Sequence, residues 1–116
     1  MNLTLKELPK EERPRERLIY HGKEQLSNEE LLAILLKTGT KQASAKVLAS
    51  HILKEVGGIH AFQDCTYQTL SQTKGVGDAK ACTILAAIEF GKRVYQKEEL
   101  LYQKFEDAYQ IASYYQ

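Results

Sequence analysis

A short turn with two glycines, Lys74-Gly75-Val76-Gly77, is the segment whose residue types and spacing best suit the binding of an anion. Glycine tolerates positive φ and leaves no side chain where a backbone must approach a ligand closely. Because helix-forming residues follow the turn, unpaired amides and the positive end of a helix dipole are predicted to face the space above it. A phosphate group is the natural ligand for such an arrangement.

The neighbours of the turn support the same chemistry. Val76 is predicted to point inward and brace the turn, while the ammonium groups of Lys74 and Lys80 add positive charge beside it. A predicted helix on each side of the glycine turn makes this segment a helix-hairpin-helix pattern. Such a pattern favours contacts to the backbone of single- or double-stranded DNA rather than to its bases. Binding is therefore expected to be independent of base sequence and to weaken with salt. The alternative is a tight turn that only packs two helices together.

The formal net charge of +1 hides an uneven distribution. Residues 1–30 carry six basic and seven acidic side chains, residues 31–97 carry nine and four, and residues 98–116 carry one and four. The central part therefore has a net charge of +5, whereas the two flanks are at −1 and −3. Because the basic part contains the glycine turn, the distribution favours a polyanionic partner.

Residues that could support catalysis or metal binding form no recognisable group in the sequence. Cys65 and Cys82 are far apart, the three histidines are scattered, and no nucleophile is paired with a base. Cys82 lies in an apolar helical pattern and is expected to be buried. Asp78 is expected to interact with the dipole of the helix that it begins rather than to bind a metal. We therefore expect no catalytic residue, metal site or cofactor.

Helical periodicity and capping residues predict an all-α fold of five or six short helices. A capping box at Ser27 and Glu30 begins a helix in which residues 31–36 are all apolar, so this helix should be central and buried, and Gly39 should end it. The predicted helices cover residues 15–21, 28–37, 43–55, 66–70, 78–95 and 105–115, with a short turn at 59–65.

The last segment, 105–115, is predicted to be an appendage to the long helix over residues 78–95 rather than part of the core, because it is rich in tyrosine and follows the largely charged stretch 96–99. The predicted buried face of the long helix comprises Ala81, Ile84, Leu85, Ile88 and Val94. The last segment would place Phe105, Ala108, Ala112 and Tyr115 on one face.

A shift of 36 residues aligns Gly39 with Gly75 and aligns several small and apolar residues of the helices that follow. The chain is therefore predicted to hold a degenerate tandem pair of helix-hairpin-helix units, of which the first lacks the second glycine. In that first unit, Lys41 and Lys46 are secondary candidates for contact with another phosphate. A purely structural role is the alternative for the first unit.

Three segments, in order, closely resemble the N-terminal region of the bacterial RadC-like proteins. They are ERPRERL at 12–18, LSNEELLAILLKTG at 26–39 and KGVGDAKA at 74–81. The resemblance covers most of residues 5–95. It implies a family named for DNA repair, whose members carry a C-terminal JAB/MPN-type domain with a histidine-rich metal motif that this chain lacks.

Residues 1–96 are accordingly expected to form the helix-hairpin-helix domain and residues 97–116 a helical linker toward the absent C-terminal domain. The leading functional hypothesis is a non-catalytic DNA-binding module. The alternative is a protein-interaction or regulatory module that docks on the absent domain or on a partner. The sequence shows no membrane-spanning stretch and no signal peptide, so we expect a cytoplasmic location.

Overall fold

The computed structural model describes the backbone of residues 13–114 and the side chains of residues 13–96 and 103–109. Within these residues the fold is all-α, as predicted, with five α-helices, two short 3₁₀ segments and no strand. The helices are α1 (Pro14–His21), α2 (Asn28–Leu36), α3 (Ala45–Val56), α4 (Tyr67–Gln72) and α5 (Asp78–Tyr114), and the 3₁₀ segments are Lys23–Gln25 and Ile59–Asp64. None of the described helices is long and apolar enough to cross a lipid bilayer.

An ion pair and a capping box connect α1 to the start of α2. Pro14 occupies the first turn of α1, and Gly22 ends that helix with φ 90°. The Nε of Arg17 on α1 donates to Oε2 of Glu30 on α2 at 2.6 Å. The predicted capping box is present, because the Glu30 amide donates to the Ser27 hydroxyl at 3.2 Å and the Ser27 amide donates to Glu30 Oε1 at 3.1 Å.

The end of α2 differs from the prediction. The helix ends at Leu36, and Lys37 rather than Gly39 takes positive φ, with φ 67° and ψ −48°. The Thr38 amide donates to the Leu36 carbonyl at 2.7 Å and closes a γ-turn around Lys37. Such a turn is strained, and a residue with a side chain there costs about 1–3 kcal/mol. Gly39 is needed for space instead, since an added Cβ would lie 2.1 Å from the Ala43 carbonyl oxygen.

Only one side of α2 is buried, which corrects the prediction of a central, buried helix. Leu32, Ala33 and Leu36 are buried, whereas Leu31 and Leu35 are each 38% exposed. The reason is that α3 and α1, which pack against α2, cover only part of its circumference.

Helices α3 and α4 are each preceded by a polar residue, Ser44 and Thr66, whose side chain caps the helix. The Ser44 hydroxyl accepts a hydrogen bond from the amide three residues later at 3.2 Å, and the Thr66 hydroxyl does the same at 3.1 Å. Gly57 ends α3 in the left-handed conformation, and Phe62 is buried in the 3₁₀ segment. Helices α2, α3 and α4 and the start of α5 all contribute buried residues to the core. These residues are Leu32, Leu36, Leu48, Ala49, Ile52, Leu70, Ala81 and Ile84.

Helix α5 is longer than predicted, because it continues through residues 96–99 without a break. These residues are Gln, Lys and Glu, which are good helix formers, so their charge does not interrupt the helix. The predicted buried face is correct only at its start. Ala81 and Ile84 are buried, Leu85 and Ile88 are partly exposed, and Val94 is largely exposed.

The chain divides into two compact units, one ending at Leu85 and the other beginning at Ala86. The first contains α1–α4 and the start of α5. The described residues of the second are the remainder of α5 alone, and Phe90 and Tyr109 on this helix are largely exposed. Of the face predicted for the last segment, Tyr115 and the side chain of Ala112 lie outside the described residues.

Candidate nucleic-acid interface

The turn between α4 and α5 has the predicted conformation at its first glycine. Gly75 adopts φ 88°, which glycine accepts most readily. The Val76 amide donates to the Thr73 carbonyl at 3.0 Å, and the Val76 side chain is buried, as predicted. The Ala81 amide donates to the Gly77 carbonyl at 3.0 Å, so Gly77 is the N-cap residue that precedes α5. The turn is therefore held from inside by Val76.

Gly75 also contacts the first hairpin. A Cβ added at this position would lie 2.8 Å from Cδ1 of Leu48 on α3 and 3.1 Å from Cγ2 of Thr40 in the loop before α3. Because Gly75 has no side chain, the backbone of the glycine turn can pack closely against the side chains of Leu48 and Thr40. The two turns are therefore neighbours in one surface.

Gly77 differs from the prediction, because its φ is not positive. No other atom lies within 4 Å of the position that a Cβ would take. Neither backbone conformation nor packing among the described residues therefore requires glycine at 77. An added side chain at this position would stand in open space beside the start of α5.

The amides at the start of α5 are available to a ligand. In the described part of the chain, no acceptor bonds the amides of Gly77, Asp78, Ala79 and Lys80. At the start of α3, by contrast, the Ser44 hydroxyl already accepts one of the corresponding amide hydrogen bonds. The second hairpin is thus better suited to bind an anion than the first.

Three of the four predicted lysines lie around the two adjoining turns. The Lys80 ammonium reaches to 3.5 Å from the Thr38 hydroxyl of the first loop, Lys74 is exposed on the glycine turn, and Lys41 is exposed in the loop before α3. Lys46 is exposed on the first turn of α3. We call the exposed parts of residues 38–41 and 74–80 the two-turn surface.

The first loop is closed by its own hydrogen bonds. The Thr40 hydroxyl accepts from the amides of Gln42 at 3.2 Å and Ala43 at 3.1 Å, and the Thr40 amide donates to the Ala43 carbonyl at 2.8 Å. Fewer amides of this loop remain for a ligand. The first loop therefore has fewer amides without an acceptor than the start of α5 has.

Asp78 places a negative charge at the same helix start. Its carboxylate accepts a hydrogen bond from the Tyr67 hydroxyl, which joins the first residue of α4 to the first residue of α5. This bond, with a smaller effect of desolvation and of the Asp78 charge, raises the pKa of Tyr67. Asp78 thus lies in the first turn of α5, where its charge favours the helix but opposes an approaching phosphate.

Other polar groups of the described residues suggest no further chemistry. No group of three or more His, Cys, Asp and Glu side chains among them could hold a metal ion. Cys82 is exposed, which corrects the prediction of burial. It follows the buried Ala81 by one residue, and consecutive helical residues point in different directions. Burial raises the pKa of the half-buried Cys65 thiol.

Comparison with known sequences identifies the first unit. The UPF0758 N-terminal domain matches residues 5–82. The chain belongs to the UPF0758 family, the RadC-like proteins. This result confirms the resemblance that the three sequence segments indicated.

Relatives within the UPF0758 family are substantially longer than this chain. A UPF0758 protein of Halalkalibacterium halodurans is 43% identical over 100 residues, which cover 86% of this chain and 43% of the relative. Those of Bacillus licheniformis and Alkaliphilus metalliredigens are 50% identical over 93 residues and 53% identical over 91, covering 80% and 78% of this chain but 42% and 39% of the relatives. The chain therefore spans less than half the length of these relatives. No solved structure matches the chain.

The sequence did not indicate two residues that contact predicted residues of the site, Thr38 and Tyr67. Thr38 lies 42 positions from Lys80, so no local pattern links them. Tyr67 lies 11 positions from Asp78, across the whole of α4 and the glycine turn. The only signal was that each residue lies at an end of a predicted helix.

Proposed function

We propose that this UPF0758 domain binds the phosphate backbone of nucleic acid, without preference for base sequence, through the two-turn surface. The observation that carries the proposal is the start of α5, where four successive amides have no acceptor among the described residues and Gly77 has open space above it. A phosphate placed there would receive several amide hydrogen bonds and would meet the positive end of a 37-residue helix. Lys74 and Lys80 would neutralise its charge.

The first hairpin extends the same surface with weaker contacts. Lys41 and Lys46 are exposed cations that would meet a neighbouring phosphate of the same ligand. Because the loop of this hairpin already uses its Thr40 and Ala43 amides, these lysines would act as point charges rather than as parts of an amide cradle.

Within the full-length family members, the domain would act as a non-catalytic DNA-binding module in DNA repair in the cytoplasm. It would position the C-terminal JAB/MPN-type domain on its substrate. Residues 1–96 would form the binding domain, and residues 97–116 would lead toward the C-terminal domain.

Charge reversal at the second hairpin tests the proposal. The double variant Lys74→Glu/Lys80→Glu is expected to weaken the binding of a labelled oligonucleotide by about tenfold to a hundredfold, because it replaces two cations at a phosphate with two anions. Fluorescence anisotropy at two salt concentrations would measure the affinity, and the wild-type affinity should fall steeply with salt. Lys54→Glu, an exposed lysine of α3 away from both turns, is the matched control and should change the affinity much less. Equal affinities for the wild type and the double variant would contradict the proposal.

Asp78 offers a test in the opposite direction. Asp78→Asn is expected to strengthen oligonucleotide binding by roughly twofold to tenfold, because it removes a negative charge beside the proposed phosphate. The asparagine oxygen can still accept the Tyr67 hydrogen bond, so the joint between α4 and α5 should persist. The same anisotropy titration would measure the gain, and circular dichroism would check the helix content. An affinity at or below that of the wild type would argue against a phosphate at this helix start.

A further inference from the structure

A cleft between α1 and α2 has no part in the proposed nucleic-acid site. Its volume is about 490 Å³, which lies within the range of sites that hold small ligands or short peptide segments. Apolar residues, two of them buried, meet exposed or half-exposed charged residues in its lining. The apolar residues are Pro14, Ala33 and Ile34, and the charged ones are Arg15, Glu16 and Lys37.

Positive charge dominates the rim of this cleft. The side chains of Arg15 and Lys37 make no ion pair or hydrogen bond with any other described residue, and Arg13 also lines the cleft. Among the described residues of the lining, Glu16 is the single acidic one. The cleft therefore combines an apolar floor with a rim that favours carboxylates or phosphates.

The backbone at Lys37 is a second, independent observation. Lys37 forms the centre of the strained γ-turn, with φ 67°, at a position where glycine would fold with less strain. Strained residues of this kind cluster at binding sites. Here the strained residue contributes a cation to the cleft, so the strain coincides with the feature that a negatively charged ligand would recognise.

We propose that this cleft binds a short protein segment in which acidic residues neighbour a large apolar side chain. The apolar side chain would lie against Pro14, Ala33 and Ile34, and the carboxylates would pair with Arg15 and Lys37. The cleft and such a segment are complementary in charge and in apolar character, independently of the proposed nucleic-acid binding.

A protein segment fits this cleft better than a nucleic acid does. No aromatic side chain lines the cleft, so a base would find no ring to stack on. Glu16 can accept a hydrogen bond from a peptide amide, a donor that the DNA backbone lacks.

The test uses a fluorescein-labelled peptide with a run of aspartates followed by leucine and phenylalanine, titrated with the 116-residue chain. The wild type is expected to bind it, and Arg15→Glu/Lys37→Glu is expected to weaken binding at least about tenfold. Lys54→Glu, which leaves the cleft unchanged, should alter the affinity by no more than about twofold. Peptides with asparagines for the aspartates, or with alanines for leucine and phenylalanine, should each bind more weakly.

Lys37→Gly separates binding from folding. Glycine relieves the positive φ, so the variant should melt at or above the temperature of the wild type, yet it should bind the peptide more weakly because a rim cation is lost. Peptide affinity that is unchanged in both Lys37→Gly and Arg15→Glu would overturn the proposal, as would a wild type that does not bind the peptide.

A labelled oligothymidine distinguishes the two proposals. If its binding depends on Arg15 and Lys37 and the peptide does not bind, the cleft is a nucleic-acid site and the peptide proposal is wrong. If Lys74→Glu/Lys80→Glu leaves peptide binding unchanged, the expected result, the cleft acts separately from the two-turn surface. Failure of oligonucleotide binding alone would remove the proposed function and leave the cleft proposal intact.

Discussion

Gly75→Ala is expected to lower the free energy of unfolding by about 2–4 kcal/mol. Alanine at φ 88° is strained by roughly 1 kcal/mol or more. Its methyl group would lie 2.8 Å from Cδ1 of Leu48, and making room in a packed core costs about 1–3 kcal/mol more. Urea denaturation followed by circular dichroism would measure the loss, and thermal melting should show a fall of at least about 8 °C.

Gly77→Ala is the matched control for Gly75→Ala. Because φ at Gly77 is not positive and a Cβ there would meet open space, stability should change by no more than about 1 kcal/mol. Nucleic-acid affinity should nevertheless fall, since the methyl group would stand over the unpaired amides of α5. Equal losses of stability in the two variants would contradict the difference in φ and in packing between Gly75 and Gly77.

Glu30→Ala is the second substitution with a large expected effect, again about 2–4 kcal/mol of unfolding free energy. It removes the carboxylate that completes the capping box of α2, worth about 0.5–2 kcal/mol. It also removes the ion pair with Arg17, a charge-assisted hydrogen bond worth about 1.5–3 kcal/mol. Glu29→Ala is the control, because Glu29 shares the first turn of α2 but takes part in neither interaction, and it should cost less than about 1 kcal/mol.

The Glu30 contribution should depend on pH in a defined direction. Desolvation by burial raises the pKa of Glu30, but the Ser27 amide, Arg17 and the Ser27 hydroxyl together outweigh it and hold the pKa below its ordinary value of 4.5. A lowered pKa in the folded state stabilises the fold above pH 4.5, and this stabilisation disappears as the pH falls through the lower folded pKa. The difference in stability between the wild type and Glu30→Gln should therefore shrink on acidification, and denaturation at several pH values would show it. A difference that stays constant down to the acid limit would contradict the role of this carboxylate.

Features that depend on neighbouring residues could be predicted from the sequence. The capping box at Ser27, the inward Val76 and the positive φ of Gly75 each follow from the chemistry of a few adjacent positions. The Thr66 cap of α4 is of the same kind, whereas the Ser44 cap starts α3 at Ala45, two residues after the predicted start at residue 43. Such signals are local, and the tertiary fold here does not override them.

Features that depend on distant contacts could not be predicted in this way. The spacing of Leu31 and Leu35 does not reveal how much of α2 its neighbours cover. Gly39 has the residue type of a helix stop, but the closed loop brings the Ala43 carbonyl against it, and the positive φ falls on Lys37 instead. The approach of Lys80 to Thr38 is also a product of the folded arrangement of the two hairpins.

The packing of the glycine turn against the core affects the rate at which the domain can bind a ligand. Val76 belongs to the hydrophobic core and Gly75 rests against Leu48, so the turn cannot loosen without disturbing the helices beneath it. A ligand would meet a receptor surface already in its bound geometry and would sacrifice little backbone entropy on docking. Association would then be governed by diffusional encounter rather than by a rearrangement of the protein.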